Sequence, residues 1–214
     1  MLLALDASTA IVSLALCDGP AVLASRSISL APRQSAALID AVPPLLASAG
    51  VGFADLSAIA VGRGPGSYTG LRVALVATRS WALPYSVPVW TAPTPFATAA
   101  RLFRDNPALE SLSLAGPVRR GLAWLLTCRR AAPGSPLPAP VPVPDAESSP
   151  FSIVASDALA DCSLALSPDT PPEAADLAFL HSLGVPGDPL TPLYLHPPVN
   201  IAPRFDPLTG APVA

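Results

Sequence analysis

The stretch with the most chemical potential is Gly62-Arg63-Gly64-Pro65-Gly66-Ser67-Tyr68-Thr69-Gly70-Leu71-Arg72. Its glycines permit positive φ and close approach of one backbone to another. Ser67 or Thr69 can cap a following helix, whose first N–H groups would then form an anion site. The general phosphate-loop patterns are not met, because Gly66 and Gly70 are one residue too far apart for GxGxxG and no Gly-Lys-Ser/Thr occurs. The alternative is a tight strand-to-helix connection without a ligand, and on the residues alone that reading is favoured. Asp6, with Ser8 two residues on, closes the first apolar run and could hold a metal or cap a turn; the turn-capping role is preferred. His181 and His196 lie far apart with no HExxH, which excludes the common zinc-protease arrangement. No GxSxG is present, so no serine triad can be assembled. All twelve basic residues are Arg, which removes Schiff-base and P-loop lysine chemistry. Arg119-Arg120 and Arg129-Arg130 could touch phosphate, but two pairs in a chain of net charge −3 read as solvated surface. Cys17, Cys128 and Cys162 are odd in number and widely spaced, the pattern of free buried thiols in a reducing compartment.

The elements that must position these groups are clearest in the first half. LLALDAS, AIVSLALC and AVLASRSIS are three strands of an antiparallel meander, separated by Thr9 and by Asp18-Gly19-Pro20. Leu38, Ile39, Val42, Leu45 and Leu46 mark one face of a helix over 33–49, with a kink or break predicted near Val42 because of Pro43 and Pro44. Leu56–Val61 is a fourth strand, and Gly70–Leu83 is a helix apolar almost all round. Val87–Trp90 is a fifth strand, and Pro95–Phe103 is helical. Three meander strands, helix, strand, helix, strand is the order of a ribonuclease-H-like α/β lobe. Ser111–Leu114 and Leu122–Cys128 begin a smaller, degraded second lobe. Residues 1–107 are thus expected to form the first lobe and 108–196 the second, with 197–214 a poorly packed tail. Between 131 and 150, Pro136, Pro138, Pro140, Pro142 and Pro144 alternate, which excludes a helix and a central strand but allows an edge strand or polyproline loop.

GRGPGSYTGLRV resembles the signature of the bacterial TsaB (YeaZ) family, historically labelled a glycoprotease-like peptidase. LDAST at the start is similar to that family's first strand, and Pro192-Leu193-Tyr194-Leu195 resembles its C-terminal Pro-x-Tyr-Leu-Arg. The resemblance implies an actin/Hsp70/sugar-kinase-like fold of two ribonuclease-H-like lobes. It implies a non-catalytic scaffold bound to the transferase TsaD, with the ATPase TsaE, in forming N6-threonylcarbamoyladenosine beside the anticodon of tRNAs that read codons starting with A. ATP or ADP and a divalent metal are then expected in the partner subunits and none in this one, and tRNA is met only through the complex. Three positions depart from the family pattern. Gln34 replaces a frequent His, Gly116-Pro117-Val118 replaces Asp-Ala-Arg, and Ala74, Val76 and Ser80 replace glycines of the second helix. The first two changes remove polar groups and so argue further against an independent active site.

Hydrophobic residues make up 51% of the 214 and charged residues 13%, enough apolar surface to exclude general disorder. No run approaches the roughly 18 apolar residues of a membrane span, and MLLALDAST lacks a basic leader region, so a cytoplasmic location is expected. An acidic chain is also the wrong sign for gripping nucleic acid alone. The alternative function is an actin-like ATP-binding or ATP-hydrolysing enzyme, with a protease a distant third. The partner surface is expected on the two first-lobe helices, at Leu38, Val42 and Leu45 and at Leu71, Ala74 and Ala77, serving a two-fold homodimer when TsaD is absent. A charge at Ala74 or Ala77 is accordingly expected to separate partners without unfolding the chain.

Overall fold

Leu2-Leu3-Ala4-Leu5 is apolar at every position because the strand it forms, β1 (Leu2–Asp6), is covered on both faces. The computed structural model describes residues 1–29, 36–118, 120–140, 150–155, 159, 172–195, 204–205 and 212–213. β2 (Ile11–Asp18) and β3 (Ala21–Ser29) complete the meander. β4 (Ala58–Gly62) and β5 (Val89–Ala92) add to the other edge, giving the order β3-β2-β1-β4-β5. β1–β2 and β2–β3 pair antiparallel, whereas β1–β4 and β4–β5 pair parallel. That mixed order is the ribonuclease-H-like α/β arrangement the element sequence predicts.

Successive residues point to opposite faces, so the sheet sorts its own core. Leu3, Leu5, Leu14, Leu16, Ile59 and Val61 face α1 (Ala36–Ser48) and α2 (Tyr68–Ala82). Leu2, Ala4, Ala15, Cys17, Ala58 and Ala60 face α3 (Thr94–Asp105) and α4 (Ala174–Ser182). α3 is apolar on two sides. Ala97 and Ala100 join the first sheet, while Ala99 and Phe103 cover the second. That second sheet is β6 (Ser111–Ala115), β7 (Leu122–Arg130), β8 (Pro138–Pro140) and β9 (Phe151–Ala155). β6 lines one edge of β7, and β8 and β9 pair with the two ends of its other edge. The smaller second sheet and the first share α3.

Several elements differ from the sequence reading. α1 runs unbroken through Pro43 and Pro44. Both prolines and the residues whose carbonyls lose a donor, Ile39 and Asp40, face solvent, where water can replace the missing bonds. Part of the proline alternation becomes the edge strand β8, its Ala139 opposite Arg129, while 141–149 lie outside the described residues. α4 falls within the stretch 108–196 yet lies against β1, β2 and β4 of the first sheet, its Ala174 N–H donating to Ser13 Oγ at 2.9 Å. Of the tail 197–214, only the short pairing of Arg204–Phe205 with Pro212–Val213 is among the described residues. No helix among the described residues is long and apolar enough to cross a membrane.

Candidate functional site

β1 delivers Asp6 to the point where three segments meet: the β1–β2 turn, the glycine-rich connection after β4, and the start of α3. The carboxylate is almost fully buried, and both its oxygens accept hydrogen bonds. Oδ1 takes the Ser8 N–H at 2.9 Å and the Ser8 hydroxyl at 2.6 Å, and Oδ2 takes the Thr94 hydroxyl at 2.6 Å. This is an Asx-type turn clamped to a helix start. A cation at Asp6 would compete with Ser8 and Thr94 for the carboxylate oxygens. Among the described residues no three His, Cys, Asp or Glu side chains converge as metal ligands.

The glycines of the signature segment are required by contacts within the chain. A Cβ on Gly62 would fall 2.0 Å from Asp6 Oδ2, and one on Gly66 would fall 2.1 Å from the Ser8 carbonyl oxygen. The same carbonyl accepts the Ser67 N–H at 2.7 Å. A Cβ on Gly70 would meet the Ala7 carbonyl at 2.3 Å. Gly64 has φ +92°, which favours glycine, precedes a cis bond to the buried Pro65, and accepts the Thr94 N–H at 2.9 Å. Ser67, rather than Thr69, caps α2, its Oγ accepting the Gly70 N–H at 3.2 Å. Thr69 itself is exposed. The loop is therefore closed upon the first turn of the chain. Beyond it, Tyr68 stacks on Tyr194 at 4.9 Å and its hydroxyl accepts from Arg72 at 2.6 Å. That contact ties the C-terminal Pro-x-Tyr-Leu element to the signature, a link of 126 residues in sequence that spacing could not reveal.

Among the described residues the second sheet offers no matching carboxylate. At the end of β6, the Gly116 N–H donates to the Trp124 carbonyl at 2.9 Å, and a Cβ there would overlap the Trp124 indole. Gly116 is thus packed against the Trp124 ring, with no room for a side chain.

The six residues expected at a partner surface are a correction. Leu38, Val42, Leu45, Leu71, Ala74 and Ala77 are all buried within this chain. Apolar periodicity marks the face a helix hides, and here the chain's own sheet hides it. The faces left outside carry Ile39 on α1, Val76 on α2, and Leu83 and Tyr85 just beyond α2, exposed by 46%, 66%, 77% and 52%. Arg130 is another correction. It is buried, its guanidinium donating to the carbonyls of Phe103, Asn106, Leu109 and Ser135, whereas Arg129 faces solvent. Gln34, Arg119, Cys162 and His196 lie outside the described residues. Burial pushes the Cys128 thiol up to about 12 and raises that of Cys17, so neither serves as a thiolate nucleophile.

The chain is 32% identical to the tRNA threonylcarbamoyladenosine biosynthesis protein TsaB of Escherichia coli over 113 residues, 52% of this chain and 48% of that protein. YeaZ from Pseudomonas aeruginosa superposes with a TM-score of 0.70 at 25% identity, covering 91% of this chain and 99% of that one. The chain is similar to TsaB (YeaZ) in part of its sequence and in its fold. The match spans about half the length of the E. coli TsaB protein. A second P. aeruginosa structure, of an uncharacterized protein with similarity to peptidase YeaZ, shares the fold at TM-score 0.72 and 24% identity, covering 91% of this chain and 99% of that one. The family described as "TsaD: tRNA N6-adenosine threonylcarbamoyltransferase" matches residues 29–108, from the end of β3 through α3. That TsaD-like stretch includes both outward helices and the signature loop.

Proposed function

We propose that this chain is a non-catalytic scaffold subunit for N6-threonylcarbamoyladenosine formation beside the tRNA anticodon, binding a TsaD-type transferase. The observation that carries the reading is Asp6. In a chain similar to TsaB, the carboxylate an actin-like ATPase would use for its metal accepts hydrogen bonds from Ser8 and Thr94. Catalysis needs a nucleophile, base or metal held in geometry, and among the described residues no three metal-ligating side chains converge. Nucleotide and divalent metal belong, on this reading, to the partners TsaD and TsaE, and tRNA is reached through the complex. The partner surface is the outward side of α1 and α2, around Ile39 and Val76, and it closes a two-fold homodimer when TsaD is absent.

The test is co-purification with TsaD and TsaE of the same organism, repeated with Val76→Glu. The variant is expected to keep its thermal stability, since Val76 faces solvent, and to lose both self-association and TsaD capture. Metal-dependent ATP turnover by the isolated chain, abolished by Asp6→Asn, would instead establish an actin-like ATPase.

A further inference from the structure

We infer that the cavity between the two sheets binds a small amphipathic molecule with an apolar body and a single carboxylate-like head. The cavity has a volume of about 430 Å³, within the range of small-molecule sites. It lies beyond the carboxyl ends of β4 and β5, where open α/β sheets bind ligands, since its wall includes Arg63 just after β4 and Ala92 at the end of β5. Phe96 of α3, Phe151 of β9, Leu180 of α4, and Val185 and Leu193 supply apolar walls. Among the described residues, charge enters the lining only through Arg63 and Asp188.

Arg63 is held rigidly. Its N–H donates to the Ala92 carbonyl at 3.0 Å, and its own carbonyl accepts the Leu193 N–H at 2.8 Å. One terminal nitrogen lies 3.3 Å from Asp188 Oδ2. Its Nε is buried and has no hydrogen-bond partner among the described residues. A buried donor without an acceptor is costly, and a carboxylate oxygen is the acceptor a guanidinium fork fits best. The charge count sets the class of ligand. One Arg paired with one Asp leaves no excess positive charge, so the free Nε of Arg63 can serve a single acceptor group but not a triphosphate. The walls then select for an apolar body of about a ring or a short chain. Asp188 is 39% exposed on its side chain and opposes any anion that enters, which keeps affinity modest. The site is separate from the outward side of α1 and α2, so either can fail without the other.

The experiment titrates the full chain with octanoate and with octanol, by calorimetry and thermal shift. Saturable one-site binding of octanoate, tighter than octanol, is expected. Asp188→Asn, on an exposed loop, should tighten octanoate about tenfold and leave octanol unchanged, as removal of a like charge near an anion does. Arg63→Met should erase the preference for octanoate. Absence of saturable binding, equal affinity for acid and alcohol, or an Asp188→Asn variant no tighter for octanoate would overturn the assignment. So would tighter binding of ATP than of octanoate at the same Arg63-dependent site.

Discussion

Replacing Asp6 with alanine removes the acceptor of three short hydrogen bonds, from the Ser8 N–H, the Ser8 hydroxyl and the Thr94 hydroxyl. Hydrogen bonds to a charged group are worth about 2 kcal/mol each, so the gross loss is about 6 kcal/mol. Removing a buried carboxylate also relieves its desolvation penalty, which returns about half of that. The net destabilisation expected for Asp6→Ala is about 3 kcal/mol, or roughly 6–12 °C in Tm for a chain of this size. Asp6→Asn differs in a useful way. Its oxygen still accepts both Ser8 donors, and its amide can donate to Thr94 once the hydroxyl rotates, so the expected cost is about 1 kcal/mol. Urea unfolding of the two variants beside wild type measures both numbers. An alanine variant within about 0.5 kcal/mol of wild type would refute the reasoning, because the three contacts would then contribute nothing.

Gly66→Ala should cost about 3 kcal/mol in a thermal melt, since its Cβ would lie 2.1 Å from the Ser8 carbonyl oxygen and only backbone movement can make room. Arg130→Met strands four backbone carbonyls around a buried site and should cost about 4 kcal/mol, whereas Arg129→Met on the solvent side should stay within about 0.5 kcal/mol. Burial pushes the Asp176 carboxyl up from 3.8 to about 6, against the opposing pull of Arg101. The folded chain therefore holds that proton more tightly than the unfolded chain does. The stabilisation is fully present below about pH 4 and is lost as pH rises through about 6, a change of about 3 kcal/mol that Asp176→Asn should flatten.

The first sheet was legible because its strands alternate between two covered faces and its turns carry Asp18-Gly19-Pro20 and the glycine segment. Local grammar suffices for that. The site was legible only in part. Asp6 could be read as a turn cap from Ser8 two residues away, but Thr94, the partner of its other oxygen, is 88 positions distant. The need for glycine at 62, 66 and 70 likewise comes from long-range approach to Asp6, Ser8 and Ala7. α4 was missed, although Pro172-Glu173 followed by an Ala- and Leu-rich run with Asp176 in its first turn is a helix-start signal. Helix periodicity located the apolar faces of α1 and α2 but could not say what covers them. The sheet does, which moves the proposed partner surface to Ile39 and Val76 and makes Ala74→Glu an unfolding variant rather than a dissociating one.

The most direct test of the scaffold role is reconstitution. Unmodified tRNA, threonylcarbamoyl adenylate, ATP, and TsaD and TsaE from the same organism are combined with and without this chain, and N6-threonylcarbamoyladenosine is measured by mass spectrometry. Little product is expected from TsaD and TsaE without it, none from this chain alone, and full modification from the three together, with Asp6→Asn as effective as wild type at a temperature where it stays folded. Product from this chain alone, or equal product whether or not it is added, would contradict the account.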